Sequence, residues 1–424
     1  DGCSITAQGA RIFADGTNES IYQSNILVNG DTYEMEYEIT ESVSGSLQIA
    51  ANFDSVILKN TVGVHKFYAV ASANILQIKR VGVTDITIDN IKIKRLTGDD
   101  TPRIDYTDGG CPVLLTEPQS TNIITDSNDF SRWNQIQNVD LTPNSTTSPS
   151  GENDAFKVLS TSGSSKIREN VSMVSGTTYT LSVYIKNIDA TSIRLLAYDA
   201  VNEFSEFVQS QVNTSTWSRV SLTFTALNTT SSGQIQIGRD LPDGESLYIY
   251  GAQLEELSYS TSLIPTYGEV RTRLQDSVTG AGTVSDFNST EGVLFVEVSA
   301  LADDLTNRAI TLNNTTSSDY VMIRLNSQNS NWLYTRVNVG GSLIYAHINT
   351  NNVITDVNKI AIRYQDNNFA TFINGVKVDS QISGSTFSAN TLTNLSFNDF
   401  TASQGDFFGK TSQVQVFNTA LSDF

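Results

Sequence analysis

Tyr33-Glu34-Met35-Glu36-Tyr37-Glu38-Ile39 places an apolar residue at every second position and a glutamate at each one between. Successive side chains on a strand point to opposite faces, so this run has one dry face and one wet face, as a half-buried antiparallel strand requires. The same period recurs at Tyr179, Leu181, Val183 and Ile185, at Val220, Leu222 and Phe224, and at Val321, Ile323 and Leu325. Clusters of Gly, Asn, Asp and Ser separate these runs as turns, and no long stretch carries the period of an amphipathic helix. Between Phe369 and Val378, the pair Asn374-Gly375 suits the two positive φ angles of a type I′ turn and predicts a tight hairpin.

An internal repeat sets the organisation. Gly30-Asp31-Thr32-Tyr33 opens one strand and Gly176-Thr177-Thr178-Tyr179 opens an equivalent one. Each copy closes on a similar strand, Ile86-Thr87-Ile88-Asp89-Asn90-Ile91-Lys92-Ile93 first and Leu247-Tyr248-Ile249-Tyr250-Gly251-Ala252-Gln253-Leu254-Glu255 later. Pro102, Pro112 and Pro118 lie between the copies and Pro265 lies after the second, where missing amide donors disfavour continuous sheet. The expectation is an all-β chain of three consecutive antiparallel β-sandwich, jelly-roll domains at residues 1–100, 121–262 and 276–424, joined by linkers at 101–120 and 263–275. A length of 424 residues exceeds one ordinary core and accommodates three.

Composition narrows the partners. Twenty-six Lys and Arg stand against 45 Asp and Glu, a net charge of -19, which disfavours nucleic acid and anionic membranes. A neutral glycan, a cationic partner or a bound divalent cation remains compatible with an acidic surface. No stretch approaches the ~20 apolar residues of a membrane span, so no membrane insertion is expected. Cys3 and Cys111 flank the first module as two unpaired thiols or one bridge, and spacing alone does not decide between them.

The first two modules resemble the jelly-roll carbohydrate-binding modules found beside bacterial glycoside hydrolases and in many phage proteins. The residues that carry this are the Gly-x-Thr-Tyr openings, Thr216-Trp217-Ser218-Arg219-Val220, and the closing strands. The segment Pro112-Val113-Leu114-Leu115-Thr116-Glu117-Pro118-Gln119-Ser120-Thr121-Asn122-Ile123-Ile124, with Ser127-Asn128-Asp129-Phe130 and Trp133, resembles a linker of phage tail and virion-associated proteins. So does Tyr248 to Glu256 running into Thr261-Ser262-Leu263-Ile264-Pro265-Thr266. Residues 276–424 resemble a concanavalin A-like, laminin G-like sandwich through Lys359-Ile360-Ala361-Ile362-Arg363-Tyr364, Phe372-Ile373-Asn374-Gly375 and Phe408 to Asn418. The resemblance implies a structural calcium, for which Asp89 is a candidate ligand, with a solvated turn aspartate as the alternative.

Chemistry-bearing patterns are sparse. His65 and His347 sit in strand-like runs, and no nucleophile elbow, zinc-binding helix or phosphate-cradling glycine loop occurs. Glu297 shares its face with Phe295 and Ser299 and lacks the second carboxylate that a retaining glycosidase needs ~5–5.5 Å away. Glu34, Glu36 and Glu38 alternate, as the wet face of a strand does. The chain is therefore expected not to be an enzyme. Sugar binding calls for an aromatic platform flanked by hydrogen-bonding groups. Trp133 and Trp217 stand at positions that the resemblance marks as structural. Trp332, Tyr334 and Arg336 share one face of an expected strand, either as a stacking strip or as a core strip capped by arginine. Tyr198, Asp199 and Asn202 follow the Leu195-Leu196-Ala197 strand as a second carbohydrate-binding candidate.

Together these features lead to the expectation of a non-catalytic phage tail-fibre or virion appendage protein at the virion surface or outside the cell. It would bind a cell-surface or extracellular polysaccharide, contact other virion proteins and assemble as a homotrimer. The binding portion of a secreted polysaccharide-degrading enzyme and a purely structural virion protein are the alternatives.

Overall fold

The structure is a computed structural model that describes residues 3–6, 9–14, 19–29, 32–49, 56–95, 101–106, 110–326, 329–399 and 405–422. Contacts divide the chain into two compact units, before and after residue 99. The architecture is all-β, with antiparallel pairing throughout the described residues. Two single-turn 3₁₀ segments, Phe130–Arg132 and Gln209–Gln211, are the helical elements among them.

The first unit contains β1 (Cys3–Thr6), β2 (Gly9–Ala14), β3 (Ser20–Ser24), β4 (Thr32–Ile49), β5 (Gly63–Val70) and β6 (Ile75–Arg95). The strand order is β1-β2-β6-β4-β5, with β3 also pairing β6. β4 and β6 are long enough to serve both layers. Their outer halves pair Tyr33 to Ile39 with Arg95 to Ile88, and after a series of register shifts Ser46 to Ile49 pair with Val81 to Ile78. The corner needs Gly45 at φ 75°, because a Cβ there would lie 2.3 Å from the Val83 carbonyl oxygen. The alternation at Tyr33, Met35, Tyr37 and Ile39 becomes the buried core, together with Ile12, Ile49, Ile78 and Ile88. Gly30 and Asp31 of the repeat motif lie outside the described residues.

The second unit begins with β7 (Arg103–Asp105), β8 (Val113–Thr116) and β9 (Ser120–Asn122). Next come β10 (Gln135–Gln137), β11 (Val139–Thr146), β12 (Ala155–Ser160), β13 (Lys166–Met173), β14 (Thr178–Asn187), β15 (Arg194–Tyr198) and β16 (Glu203–Phe207). β17 (Ser218–Thr225), β18 (Thr230–Ile237) and β19 (Ser246–Glu255) complete a sandwich with layers β11-β12-β19-β14-β17 and β10-β13-β18-β15-β16.

This sandwich repeats the first one in register. The described strand residues between 10 and 49 match residues 146 further on: Ala10 faces Ile88 as Phe156 faces Ile249, Ile21 faces Ile78 as Ile167 faces Ile237, and Ile49 faces Ile78 as Leu195 faces Ile237. The same bulge interrupts both closing strands. The pairing skips from Glu36 with Lys92 to Glu38 with Asp89 in one, and from Ser182 with Gln253 to Tyr184 with Tyr250 in the other. Asn90 at φ 51° and Gly251 at φ 64° supply the left-handed residue that the bulge needs. Even the tyrosine of the repeat motif acts alike, since the Val28 amide donates to Tyr33 Oη at 2.7 Å and the Val174 amide to Tyr179 Oη at 3.0 Å. Tyr179→Phe removes that acceptor from a buried ring and is expected to cost about 1 kcal/mol in the denaturant-induced unfolding of the second unit.

The third sandwich follows β20 (Arg271–Arg273) and comprises β21 (Glu291–Ala300), β22 (Arg308–Asn313), β23 (Tyr320–Leu325), β24 (Leu333–Val339) and β25 (Ser342–Asn349). β26 (Asn358–Gln365), β27 (Phe369–Ile373), β28 (Val376–Gln381), β29 (Asn394–Ser396) and β30 (Gly409–Phe417) complete it. Its layers run β28-β27-β26-β21-β30-β8-β7 and β25-β24-β23-β22-β29 around a core that includes Leu294, Val296, Ile323, Val337 and Ile362. Asn374 at φ 52° and Gly375 at φ 82° form the expected two-residue turn, with Ile373 opposite Val376.

The expected linkers need correction. β7 and β8, from residues 101–120, are strands of the third sandwich: β8 pairs with β30 through Gly409, Lys410 and Thr411, and Leu114 packs on that core. Pro112 and Pro118 stand just outside Val113–Thr116, so neither removes a donor from the ladder. β20, from residues 263–275, pairs with β9.

Candidate functional site

The expected Trp332-Tyr334-Arg336 strip lies on the outer face of the third sandwich, because Leu333 and Val337, which alternate with its residues along the strand, belong to the core. Trp332 and Tyr334 are nevertheless only 7% and 9% exposed. Their rings stack with centroids 5.7 Å apart, and the Arg324 guanidinium of the neighbouring strand lies 5.7 Å from one centroid and 5.0 Å from the other. Arg336 lies 5.6 Å from the centroid of Tyr320 and donates through Nε and Nη2 to Asn338 Oδ1 at 3.0 and 2.9 Å. Tyr320, Met322, Tyr334 and Ala309 form an apolar cluster of their own on this face. The strip is therefore neither an open platform nor part of the inter-sheet core. It is a ladder in which two arginines cover aromatic rings.

Burial lowers the Arg324 pKa and raises that of Tyr320, the arginine lying where Tyr334 and Asp399 favour its charge. Arg324 Nε is buried without a hydrogen-bond partner. Planar guanidinium groups fixed in this way present their remaining N–H donors in set directions, which suits the paired oxygens of carboxylates and sugar hydroxyls. Arg324 and Tyr320 escaped the sequence reading because they join the strip only through cross-strand register, opposite Tyr334 and Asn338. Val321, Ile323 and Leu325 already placed Arg324 on the opposite face from the core, and that was the available signal.

Tyr198, Asp199 and Asn202 form a turn anchor. Asp199 is fully buried, and its carboxylate accepts from the amides of Val201, Asn202, Leu227 and Asn228 at 3.0, 2.6, 2.9 and 3.1 Å and from Asn202 Nδ2. Burial pushes this carboxyl up, but the donors outweigh it and hold the pKa at about 2. Tyr198 Oη donates to the Ala200 carbonyl at 2.8 Å. This network ties two loops together and uses the carboxylate oxygens for that purpose.

Asp89 accepts the Asn90 amide at 2.8 Å beside the bulge. No group of three or more Asp, Glu, His or Cys suited to a metal occurs among the described residues, so Asp89 has no assembled ligand set there. Its counterpart in the second sandwich is Tyr250, with Gln253 opposite Ser182 on the far side of the bulge. Cys3 and Cys111 are both free thiols. Glu36 pairs with Lys92 at 2.7 Å and Lys66 at 3.0 Å, Glu34 lies 3.8 Å from Lys66, and Glu297 lies 3.7 Å from Lys359. His65 contacts the Thr61 carbonyl at 2.6 Å, and His347 lies 3.4 Å from Asp379. Trp133 packs on Phe130 and donates to the Asp126 carbonyl at 2.9 Å, and Trp217 donates to the Thr147 carbonyl at 3.0 Å.

The two linker-like motifs meet in a buried polar seam inside the second unit. Asn122 donates to the carbonyls of Ala252 and Ile264 and accepts from the amides of Ile124 and Leu254. Glu255 receives Ser120 Oγ at 2.6 Å and the Thr261 amide at 3.0 Å, and Gln253 Oε1 receives the Ile264 amide at 2.6 Å. Glu117, 2% exposed, binds Arg273 and Arg103 and accepts the Ser262 amide at 2.7 Å. Ser258 Oγ donates to Asp304 at 3.3 Å, and Asp304 also pairs with the fully buried Arg308 at 2.9 Å. This seam joins the second and third sandwiches into one unit.

Asp276 lies in the same seam, accepting the Glu117 amide at 2.8 Å through one oxygen while the other is buried without a partner. Burial raises its pKa to about 6. An acid whose folded pKa exceeds its unfolded value holds extra proton in the folded state, so its contribution to stability falls as pH rises from about 4 through 6. Glu117 runs the other way. Burial opposes its charge, but Arg273 outweighs that and lowers the pKa, so its contribution is lost only as pH falls below the ordinary glutamate range. Asp276→Asn is expected to abolish the decline between pH 4 and 6, a gain on the order of 1–2 kcal/mol at pH 7 measured by urea unfolding at both pH values.

No helix among the described residues is long and apolar enough to cross a membrane. No family model matches the chain, and no curated protein matches it in sequence. Among solved structures, the mouse laminin alpha1 chain, domains LG4-5, matches 63% of this chain and 93% of that chain at 10% identity and a TM-score of 0.24. So low a score carries no argument about function, and the all-β assignment rests on the strands and sheets described above.

Proposed function

We propose that this chain is a non-catalytic glycan-binding protein of a phage tail fibre or virion appendage, acting at the virion surface or outside the cell, and that the outer face of β23 and β24 contacts a polysaccharide. The observation that carries this reading is the pair of guanidinium groups, Arg324 and Arg336, seated on the rings of Tyr334, Trp332 and Tyr320. Rigid donors beside aromatic edges are what sugar hydroxyls and carboxylates pair with, and a single weak site suffices on a multivalent fibre, where linkage raises avidity by ~10²–10⁴. A trimeric assembly and contacts with other virion proteins follow from that setting. The binding portion of a secreted polysaccharide-degrading enzyme and a purely structural virion protein are the competing readings.

A glycan and polysaccharide array probed with the full chain and with Arg336→Gln tests the proposal. Arg336 is the better probe than Trp332, whose truncation would open a gap under Arg324. The expected result is saturable binding to a defined glycan class, weakened at least ten-fold in the variant. Absence of binding favours the structural virion protein, and release of reducing ends or unsaturated products from the polysaccharides overturns the non-catalytic reading.

A further inference from the structure

One face of the second sandwich departs from the acidic character of the chain. Ile167, Leu195, Ile235 and Ile237 point into the core, so Lys166, Arg168, Arg194, Gln234 and Gln236, which alternate with them, point outward from the layer β10-β13-β18-β15-β16. Register sets Gln135, Arg168 and Gln236 side by side in one row, puts Gln137 beside Lys166, and places Phe207 opposite Arg194. The amides are joined in pairs, Gln135 Nε2 donating to Gln137 Oε1 at 3.0 Å and Gln236 Nε2 to Gln234 Oε1 at 3.3 Å. The fold itself does not require the cations, since Ser20 and Tyr22 stand in the places of Lys166 and Arg168 in the first sandwich, where Gln77 keeps the place of Gln236.

Phe207 is 54% exposed at one end of this face. The Arg194 guanidinium lies 5.6 Å from its ring centroid and is itself held by Glu203, by Ser205 Oγ at 3.0 Å and by Asp240 at 3.4 Å. Arg239 shares Asp240 at 3.1 Å. Lys166 and Arg168, by contrast, form no ion pair among the described residues. Burial, Arg239 and Arg168 together lower the Lys166 pKa against the pull of Asp240. Lys166, Arg168, Arg194 and Arg239 thus face only Glu203 and Asp240 here, in a chain whose net charge is -19. Gln236 is 6% exposed and its Oε1 has no partner, while Arg168 Nε on the strand beside it is likewise buried and unmet. Unmet buried groups are rare in folded proteins, and a ligand that draws these side chains into new bonds accounts for both.

We infer that this face is a separate ligand site, for a polysaccharide in which carboxylate-bearing sugars are spaced by neutral ones. Phe207 receives the apolar face of a pyranose ring, the glutamine amides pair with hydroxyls, and Arg168 and Lys166 take the carboxylate. A nucleic acid, charged at every unit, is opposed by the negative charge of the rest of the chain, whereas a sparsely charged glycan meets the local cations with less repulsion. The inference does not rest on the glycan reading of the third sandwich.

The test uses the full chain carrying Arg336→Gln, which takes the third-sandwich face out of play, with hyaluronate, unsulfated chondroitin and gellan, each beside its carboxyl-reduced form. Saturable binding to at least one of the acidic polysaccharides is expected, weakened about ten-fold or more by carboxyl reduction, by Arg168→Gln and by Phe207→Ser, and several-fold by Lys166→Gln. The side chains of Lys166 and Arg168 make no hydrogen bond among the described residues, so these two variants keep the melting temperature of their parent. Absence of binding to all the acidic polysaccharides, equal binding of the carboxyl-reduced forms, or indifference to both Arg168→Gln and Phe207→Ser overturns it. Tighter binding of a single-stranded oligonucleotide, lost in the same variants, also overturns it by making the face a nucleic-acid site.

Discussion

Arg273→Met is expected to destabilise the second unit by about 3–5 kcal/mol, because it leaves Glu117 buried with its main countercharge gone. Arg273 and Glu117 are each 2% exposed, and the guanidinium also donates to the Pro118 carbonyl at 3.0 Å. Arg103 remains beside Glu117 but is partly exposed and reaches only one carboxylate oxygen. The pair need not itself contribute much stability, since desolvating two charges offsets most of their attraction. The prediction concerns what removing one partner leaves behind. Glu117→Gln combined with Arg273→Met should therefore recover part of the loss, which distinguishes a stranded charge from lost packing.

The same variant bears on cooperativity. Glu117 and Arg273 join the start of the second sandwich to the strands that lead into the third, and Ser262 and Asp276 bond to Glu117 from either side. Calorimetry of the full chain is expected to show the second and third sandwiches melting together in the natural sequence and separating in Arg273→Met. A single unchanged transition for the second unit would mean that the sheets, through β8 and β30, couple the sandwiches without the seam.

Local features were legible in the sequence. Tyr33 to Ile39 alternates because one face is core, and Asn374-Gly375 turns because both residues tolerate positive φ, so each is decided within a few residues. The repeat was legible for a related reason: the Gly-x-Thr-Tyr opening includes a tyrosine whose hydroxyl accepts an amide five residues earlier in both copies. Pairings between distant segments were not. Val113–Thr116 looks like linker between prolines, and its partner, Gly409 to Thr411, lies nearly three hundred residues away. The surroundings of the candidate strip were hidden for the same reason. Periodicity placed Trp332 and Tyr334 on one face correctly, but their covering by Arg324 depends on which residue of β23 stands opposite Tyr334.

Asp199→Ala is expected to cost about 3 kcal/mol or more in the unfolding of the second unit, since it strands the amides of Val201, Asn202, Leu227 and Asn228 together. An unmet buried donor costs ~1–3 kcal/mol, and loop relaxation toward water recovers part of the sum. The sequence reading took Asp199 for a sugar contact because an aspartate after a strand, flanked by Tyr198 and Asn202, has the right chemistry. Yet an aspartate bonding to amides two and three residues onward is also how a tight turn is held, and here the amides of Leu227 and Asn228 complete the shell. The two roles differ in their response to pH. With a folded pKa of about 2, below the ordinary 3.8, the carboxylate stabilises the fold fully above pH 4 and loses that contribution as pH falls toward 2. Asp199→Asn should remove this acid-limb slope and leave glycan binding by the full chain unchanged at pH 7. If binding is lost while the melting temperature holds, the carboxylate faces ligand and the turn-anchor assignment is wrong.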